Sequence, residues 1–300
     1  MTVVDVPRFE DFLNIGSDHL QLAWAQVADL LTDLDDTFDD YDQETKDEYW
    51  DASRRILLTA LTIAQQGVEL TLKGYIAKVS PYLLIQNPAG KLPGPSTRSD
   101  LSFADFKTID AQDLVKMVTA FTSTSLSEPF QRRFEELRNL RNQIMHTIGE
   151  KVSVEPAQLV EIILEVHWEL FPSSHWPTDR MQFLDRSPVA RLGADEFTRN
   201  RVCWELELVL DLLKPSKAKK FFGIDKKQRR YSCPKCLSEA NRDVGFEWRL
   251  AVLTPKSPKA TSLFCFVCNE TFPVTRNACA EPECRGNVFH DDWGCLSCAF

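Results

Sequence analysis

Eight of the nine cysteines in this 300-residue chain fall between Cys233 and Cys298, and their spacing limits what the C-terminal region can fold into. Two pairs, Cys233-Pro-Lys-Cys236 and Cys265-Phe-Val-Cys268, are separated by 28 residues. A Cys-x-x-Cys turn delivers two thiolates to one metal ion while its backbone amides hydrogen-bond to the sulfurs. Two such knuckles at the ends of a β-hairpin complete a tetrahedron, the arrangement of a zinc ribbon. Residues 254–259 form the expected hairpin tip, between apolar runs at 246–253 and 260–264. The other four, Cys279, Cys284, Cys295 and Cys298, follow at intervals of four, ten and two residues, with His290 as a substitute ligand should one cysteine be displaced. Two structural zinc ions are expected. Four thiolates leave no open position for a water molecule, which argues against a catalytic role for either ion.

Clustered thiols of this kind also indicate a reducing compartment and metal rather than disulfides. Cys203 lies apart, inside the apolar run VCWELELVL, and reads as a small buried hydrophobe. The aromatic residues Phe264, Phe266, Phe272, Phe289 and Trp293 can stack nucleic-acid bases, but in so small a region they first have to supply its core. Whether the ribbons hold RNA, DNA or protein stays open.

The charge is uneven. Residues 214–300 carry 15 Lys and Arg against 9 Asp and Glu, while residues 1–213 carry 20 against 35, giving −9 for the whole chain. An acidic body of this kind excludes a broad binder of duplex DNA. The segment KPSKAKKFFGIDKKQRR (214–230) holds eight basic residues in seventeen and reads either as a solvated linker or as a phosphate-contacting strap. The N-terminus has no secretory signal, and no run approaches eighteen apolar residues, so a cytoplasmic protein without a membrane span is expected.

The first two hundred residues read as helices. Phe9, Leu13, Gly16, Leu20, Trp24, Val27, Leu31 and Leu34 step by three and four. An acidic stretch follows, in which Asp33, Asp35 and Glu44 stand at three positions of a calcium loop; Phe38 occupies the turn position that needs glycine, so the stretch reads as an acidic connector. Leu57, Leu61, Ala64, Val68, Leu72, Tyr75 and Val79 mark a long second helix ended by Pro81. The segment QNPAGKLPGPSTRSD is a loop. Further helices are expected at about 110–121, 127–148, from Pro156 to before Pro172, and at about 196–213, with 172–195 as irregular connection.

One of these helices carries chemistry. Phe130, Phe134, Leu137, Ile144 and Ile148 share a face, and the step missing from that stripe is Arg141. A guanidinium in a position patterned for an apolar side chain is costly unless it meets an anion, a carboxylate or a cleft. Arg138, Asn142 and His146 line the adjacent edge at i, i+4 spacing. Two readings stand side by side for these residues: a helix-end or core histidine with an arginine paired to a carboxylate such as Glu69, or a reactive set. The same Arg-to-His spacing recurs at Arg285 and His290, where it reads as coincidence.

In the pattern Arg-Asn-x-x-x-His, formed by Arg141, Asn142 and His146 near the end of a late helix, and in the long preceding helix LLTALTIAQQGVELTLKGYIAKV, the chain resembles the HEPN superfamily (higher eukaryotes and prokaryotes nucleotide-binding domains). The resemblance covers about residues 50–171. It implies a HEPN-like helical bundle in residues 1–171 (core about 50–171); joined to the one helix and basic linker read in 172–230 and the small β-rich double zinc ribbon read in 231–300, a mainly α protein is expected. It further implies a homodimeric, metal-independent endoribonuclease, of the kind found among toxins and anti-phage defence effectors. Arg141 and His146 would be catalytic, Asn142 would position them, and Arg138 would contact RNA as substrate. A protein inhibitor or partner fits the same class. A non-catalytic adaptor, binding nucleic acid or protein, is the alternative.

Overall fold

The computed structural model describes residues 2–37, 42–87, 100–146, 153–193, 197–241, 243 and 245–298, the side chain of His146 excepted. The centre of the acidic connector, most of the Pro- and Gly-rich loop, and Ile148 lie outside the described residues. The chain is mainly helical, with small sheets confined largely to its C-terminal part. By internal contacts it divides into two units, one of residues 1–27 and 42–172, the other of residues 28–41 and 173–300.

In the first unit the central element is α2 (Gln43–Val79), which packs against α3 (Ala111–Phe121), α4 (Glu128–His146) and α5 (Pro156–Leu170). Asp42 starts α2 by accepting the Thr45 backbone N–H at 2.9 Å, and Ser80 and Pro81 end it. Its buried face runs through Leu57, Leu61, Ala64, Val68, Leu72 and Ile76. The expected stripe departs from this at its C-terminal end. Val79 is exposed, and Tyr75 is partly buried, its hydroxyl donating to the Leu170 carbonyl at 2.5 Å. The three-four stepping of apolar residues had two continuations there, and the one through Ile76 is buried.

The first part of α1 (Phe9–Thr37) lies against α2 at a very close crossing. A Cβ on Gly16 would stand 2.3 Å from Thr71 Oγ1, and one on Gly67 2.8 Å from the Gly16 carbonyl oxygen. Glycine at both positions lets the two backbones meet. Leu114 and Val118 of α3, Phe130, Phe134 and Leu137 of α4, and Leu159, Ile163 and Leu170 of α5 complete this core. Ser127 caps α4 by accepting the Phe130 N–H at 3.3 Å, and Arg133 Nε reaches Glu165 of α5 at 2.9 Å. A short parallel pair joins β1 (Val3–Val4) to β2 (Leu101–Ser102).

The second unit contains the last turns of α1, then α6 (Trp176–Asp185), α7 (Thr198–Leu212), α8 (Pro215–Phe222) and α9 (Pro234–Glu239). It also holds an antiparallel sheet ordered β3 (Arg230–Tyr231), β4 (Ala251–Leu253), β5 (Ser262–Cys265), β6 (Glu270–Pro273), and a hairpin of β7 (Phe289–His290) and β8 (Gly294–Cys295). Three of its helices, α6, α8 and the short α9 at the first Cys-x-x-Cys turn, were not expected from the sequence. The region 172–195, read as irregular, contains α6, whose core-facing residues Trp176, Pro177 and Arg180 include a charge that hides the apolar pattern. The basic run 214–230 contains α8, anchored by Ala218 and Phe222 alone. Lys226 then donates to the carbonyls of Asp211 and Leu213, the free acceptors at the end of α7.

The core of this unit is partly ionic. Arg180 and Glu205, 1% and 0% exposed, meet fork to fork, with Nε and Nη2 each 2.9 Å from a carboxylate oxygen. Arg201 adds a third bond to Glu205 at 2.8 Å and pairs with Asp29 at the end of α1. Bidentate geometry and full occupancy of the acceptors offset the cost of burying these charges. Removing one partner leaves the other desolvated and unmatched. Glu205→Ala is therefore expected to cost about 3–5 kcal/mol in urea unfolding. Burial alone would raise the Glu205 carboxyl, but Arg180 and Arg201 hold it below its ordinary value of 4.5. Its contribution is thus fully present above that value and lost as the pH falls, so the acid limb of a stability-pH curve flattens in Glu205→Gln.

Candidate functional sites

The first thiol group is assembled by α9 and the β5–β6 hairpin. Cys233 is the N-cap residue of α9, and its sulfur accepts the Cys236 backbone N–H at 3.5 Å. Pro234 in the first turn has no N–H of its own. Cys265 ends β5, and Cys268 lies in the turn before β6, where Asn269 takes a left-handed φ of 57°. The hairpin tip expected at 254–259 connects β4 to β5, with Leu253 opposite Leu263. The sulfurs of Cys233 and Cys236 stand 3.4 and 3.5 Å from that of Cys268, and Cys236 stands 3.9 Å from Cys265.

The second group is built by loops around β7 and β8. Cys279 and Cys298 are 3.8 Å apart at sulfur, as are Cys284 and Cys295, and the Gly286 N–H donates to the Cys284 sulfur at 3.2 Å. A Cβ on Gly286 would come within 2.5 Å of the Cys295 sulfur and 2.6 Å of Ser297 Cβ. Only glycine lets the backbone pass that close. His290, the expected substitute ligand, stays outside: its Nδ1 accepts the Asp292 N–H at 3.3 Å.

In each group the four sulfurs lie within 4.8 Å of one another. A tetrahedron with metal–sulfur bonds of about 2.3 Å has sulfur–sulfur edges of about 3.8 Å, so both groups fit a divalent ion. Hydrogen bonds from Cys236, Cys265 and Cys268 draw the Cys233 thiol far below its ordinary value, whereas burial pushes Cys265 well above it. Burial opposes ionisation of Cys295 too, but the backbone N–H groups of Ser297 and Cys298 bring it down to about 7. Packed thiols of this kind cannot all ionise unless a cation joins them. Cys203, on α7, sits against Cys236 as a fully buried residue, which agrees with its reading as a small hydrophobe.

In the first unit, Arg138, Arg141 and Asn142 of α4 open onto a pocket of about 220 Å³ with Gln65 and Glu69 of α2 and the start of α3. Arg141 Nη1 donates to Asn142 Oδ1 at 3.2 Å, and Arg138 Nη2 donates to Glu135 at 2.7 Å. The Nε atoms of both arginines are buried and make no hydrogen bond among the described residues. Glu69 bonds to Gln65 instead, and among the described residues Arg141 forms no ion pair with a carboxylate. The sequence pattern brought out the arginines and Asn142 but not Gln65, Asp110 or Gln112. A signal for Gln65 existed, since it interrupts the apolar face of α2 at 1% exposure. His146 is the last residue of α4, and its side chain lies outside the described residues.

Comparison of the chain with protein-family models, with curated proteins and with solved structures gives no match. No helix among the described residues is long and apolar enough to cross a membrane.

The tight passage at Gly286 yields a local test. Gly286→Ala is expected to make the thiols of Cys279, Cys284, Cys295 and Cys298 reactive to a disulfide reagent. Those of Cys233, Cys236, Cys265 and Cys268 should stay protected, as read by mass spectrometry of the labelled chain.

Proposed function

We propose that this protein is a HEPN-type endoribonuclease whose C-terminal double zinc ribbon recruits RNA or a protein partner. The observation that carries the reading is the pocket of Arg138, Arg141 and Asn142, in which Arg141 forms no ion pair among the described residues although Glu69 and Asp110 line the same wall. A half-buried guanidinium held out of an ion pair can take an anion, and a phosphodiester meets it with two oxygens. The resemblance through Arg141, Asn142 and His146 supplies the class of reaction.

RNA cleavage of this type removes a proton from a 2′-hydroxyl, which attacks the adjacent phosphorus, and delivers a proton to the departing 5′-oxygen. Histidine titrates near neutrality and performs either transfer, and Arg141 and Arg138 stabilise the charge that builds on the phosphorane. One imidazole serves only one of the two transfers at a time. A homodimer that brings a second His146 to the same phosphate provides the other. The products are a 2′,3′-cyclic phosphate and a 5′-hydroxyl.

The metal in the two thiol groups is zinc in this reading, since sulfur-only tetrahedra suit that ion. Its part is structural, because four thiolates close its coordination sphere. Zinc holds the loops that carry Cys233 to Cys268 and Cys279 to Cys298, and the chemistry on RNA belongs to the arginines, Asn142 and His146 of α4.

Two measurements test this. Elemental analysis should find two zinc ions per chain, falling to one in Cys284→Ser. Purified protein should cleave single-stranded RNA in the presence of EDTA on a short timescale, with activity reduced by a factor of about 100 or more in His146→Ala and in Arg141→Ala. Equal cleavage by both variants, or intact RNA with the wild-type protein, rejects the nuclease and favours the adaptor.

A further inference from the structure

The second unit holds a larger pocket, of about 630 Å³, that shares no residue with either thiol group. It lies between α7, the start of β3 and the extended segment before β4. Its volume falls within the roughly 300–1,000 Å³ typical of small-ligand sites. Two indoles line it, and both are fixed in place. The Trp204 N–H donates to Asp35 Oδ2 at 2.7 Å, and Trp248 packs edge-to-face on Phe246 with ring centroids 5.2 Å apart.

Three guanidinium groups share the wall, and they are not equivalent. Arg230 is ion-paired, its Nη1 2.6 Å from Glu207 Oε1, although that buried nitrogen completes no aligned hydrogen bond among the described residues. Arg229 touches only neutral groups, namely the Arg285 carbonyl, the Ser297 hydroxyl and the face of Tyr231. Arg249 is exposed and makes no hydrogen bond or ion pair among the described residues. The run that leads into the pocket, residues 214–230, is strongly basic, with Asp225 its only acid.

The acids are distributed differently. Glu207 is committed to Arg230 through one oxygen, while its buried Oε2 has no hydrogen-bond partner. Burial also pushes the Glu207 carboxyl above its ordinary range, against the pull of Arg230 and Arg249. Asp211 and Glu247 stand nearby on the same wall. The site thus combines flat aromatic faces, the guanidinium groups of Arg229 and Arg249, which form no ion pair among the described residues, and the carboxylates of Asp35, Glu207, Asp211 and Glu247, whose oxygens accept from N–H donors. A nucleotide offers all three complements: a base to stack, a phosphate for arginine, and exocyclic amines for carboxylates.

We propose that the pocket lined by Trp204 and Trp248 binds a nucleotide of single-stranded nucleic acid. The base stacks on indole, its phosphate meets Arg249 and Arg229, and bases with an exocyclic amine are preferred over uracil. Adenine, cytosine and guanine each offer an exocyclic amine with two N–H donors, whereas uracil offers a single ring N–H flanked by carbonyl oxygens. This site is independent of the Arg141 pocket and stands whether or not that pocket cleaves RNA.

The test uses the full chain carrying Arg141→Ala, which blocks the proposed cleavage, and labelled oligoadenosine, oligocytidine and oligouridine followed by fluorescence anisotropy. Oligoadenosine and oligocytidine should bind, quench tryptophan fluorescence and weaken as salt rises, with oligouridine clearly weaker. Arg249→Ala and Trp248→Ala should each reduce affinity by a factor of about ten. Arg249 is exposed, so its variant keeps the fold and decides the matter even if Trp248→Ala does not fold, as checked by circular dichroism. Absent binding, equal binding of oligouridine, unchanged affinity in Arg249→Ala, or capture of a lysine-rich peptide in place of oligonucleotide each overturns the proposal. Cleavage by the wild-type chain is assayed separately, so failure of either site leaves the result for the other intact.

Discussion

Four sulfur atoms held within a few ångströms of one another are an unstable arrangement unless something positive sits among them. The thiols repel as they ionise. A divalent ion reverses the sign of the problem, turning mutual repulsion into the strongest local attraction in the region. Both thiol groups of the second unit could hold such an ion. The β5–β6 turn, the start of α9 and the loops around β7 and β8 are ordered at positions where a cysteine must point inward. The two groups are also stitched to each other through the backbone, by Ser232 N–H to the Leu296 carbonyl and by the pairing of Thr275 with Phe289. Asn200 of α7 clamps the segment after α9, with its amide donating to the carbonyls of Asn241 and Gly245 and accepting from Asn241 N–H.

Arginine appears in three physical states in this chain, and the differences carry the functional argument. Arg180 is fully buried and fully matched, so its charge is a structural element. Arg133 is tied to carboxylates at the surface of the first unit, where such pairs add little. Arg141 is partly buried and hydrogen-bonds only to the Asn142 amide among the described residues, while Arg249 is exposed and makes no hydrogen bond or ion pair there. The lack of a direct ion pair among the described residues separates these two from the others named here. A protein that needed only a stable core would have replaced Arg141 with the leucine or isoleucine its helix pattern provides for.

The thiol groups were legible in the sequence because metal geometry fixes ligand spacing over a few residues, and all eight cysteines assemble as their intervals implied. The helices of the first unit were legible for a similar reason, since apolar residues at three and four steps mark a face before any partner is known. The second unit was less readable. Arg180 occupies the inward face of α6 and breaks the apolar signal there, and α8 is held by two residues within a basic run. Both depend on long-range partners, Glu205 in one case and the aromatic core around Phe266 in the other. The pocket around Trp204 was invisible for the same reason, as its walls come from segments far apart in the chain. Arg141 stood out only because it broke a pattern.

The first long helix belongs to both units, which has a practical consequence for dissecting the molecule. Asp29 and Asp35, on its last turns, are the partners of Arg201 and Trp204. A fragment beginning at residue 173 would keep every cysteine and still lose those two carboxylates. Severed there, the metal-bearing piece would expose the flank of α7 and strip Trp204 of the anchor that orients its ring. The natural seam of this protein is therefore not a single cut, and any separation of its halves has to carry the N-terminal helix along with the cysteines.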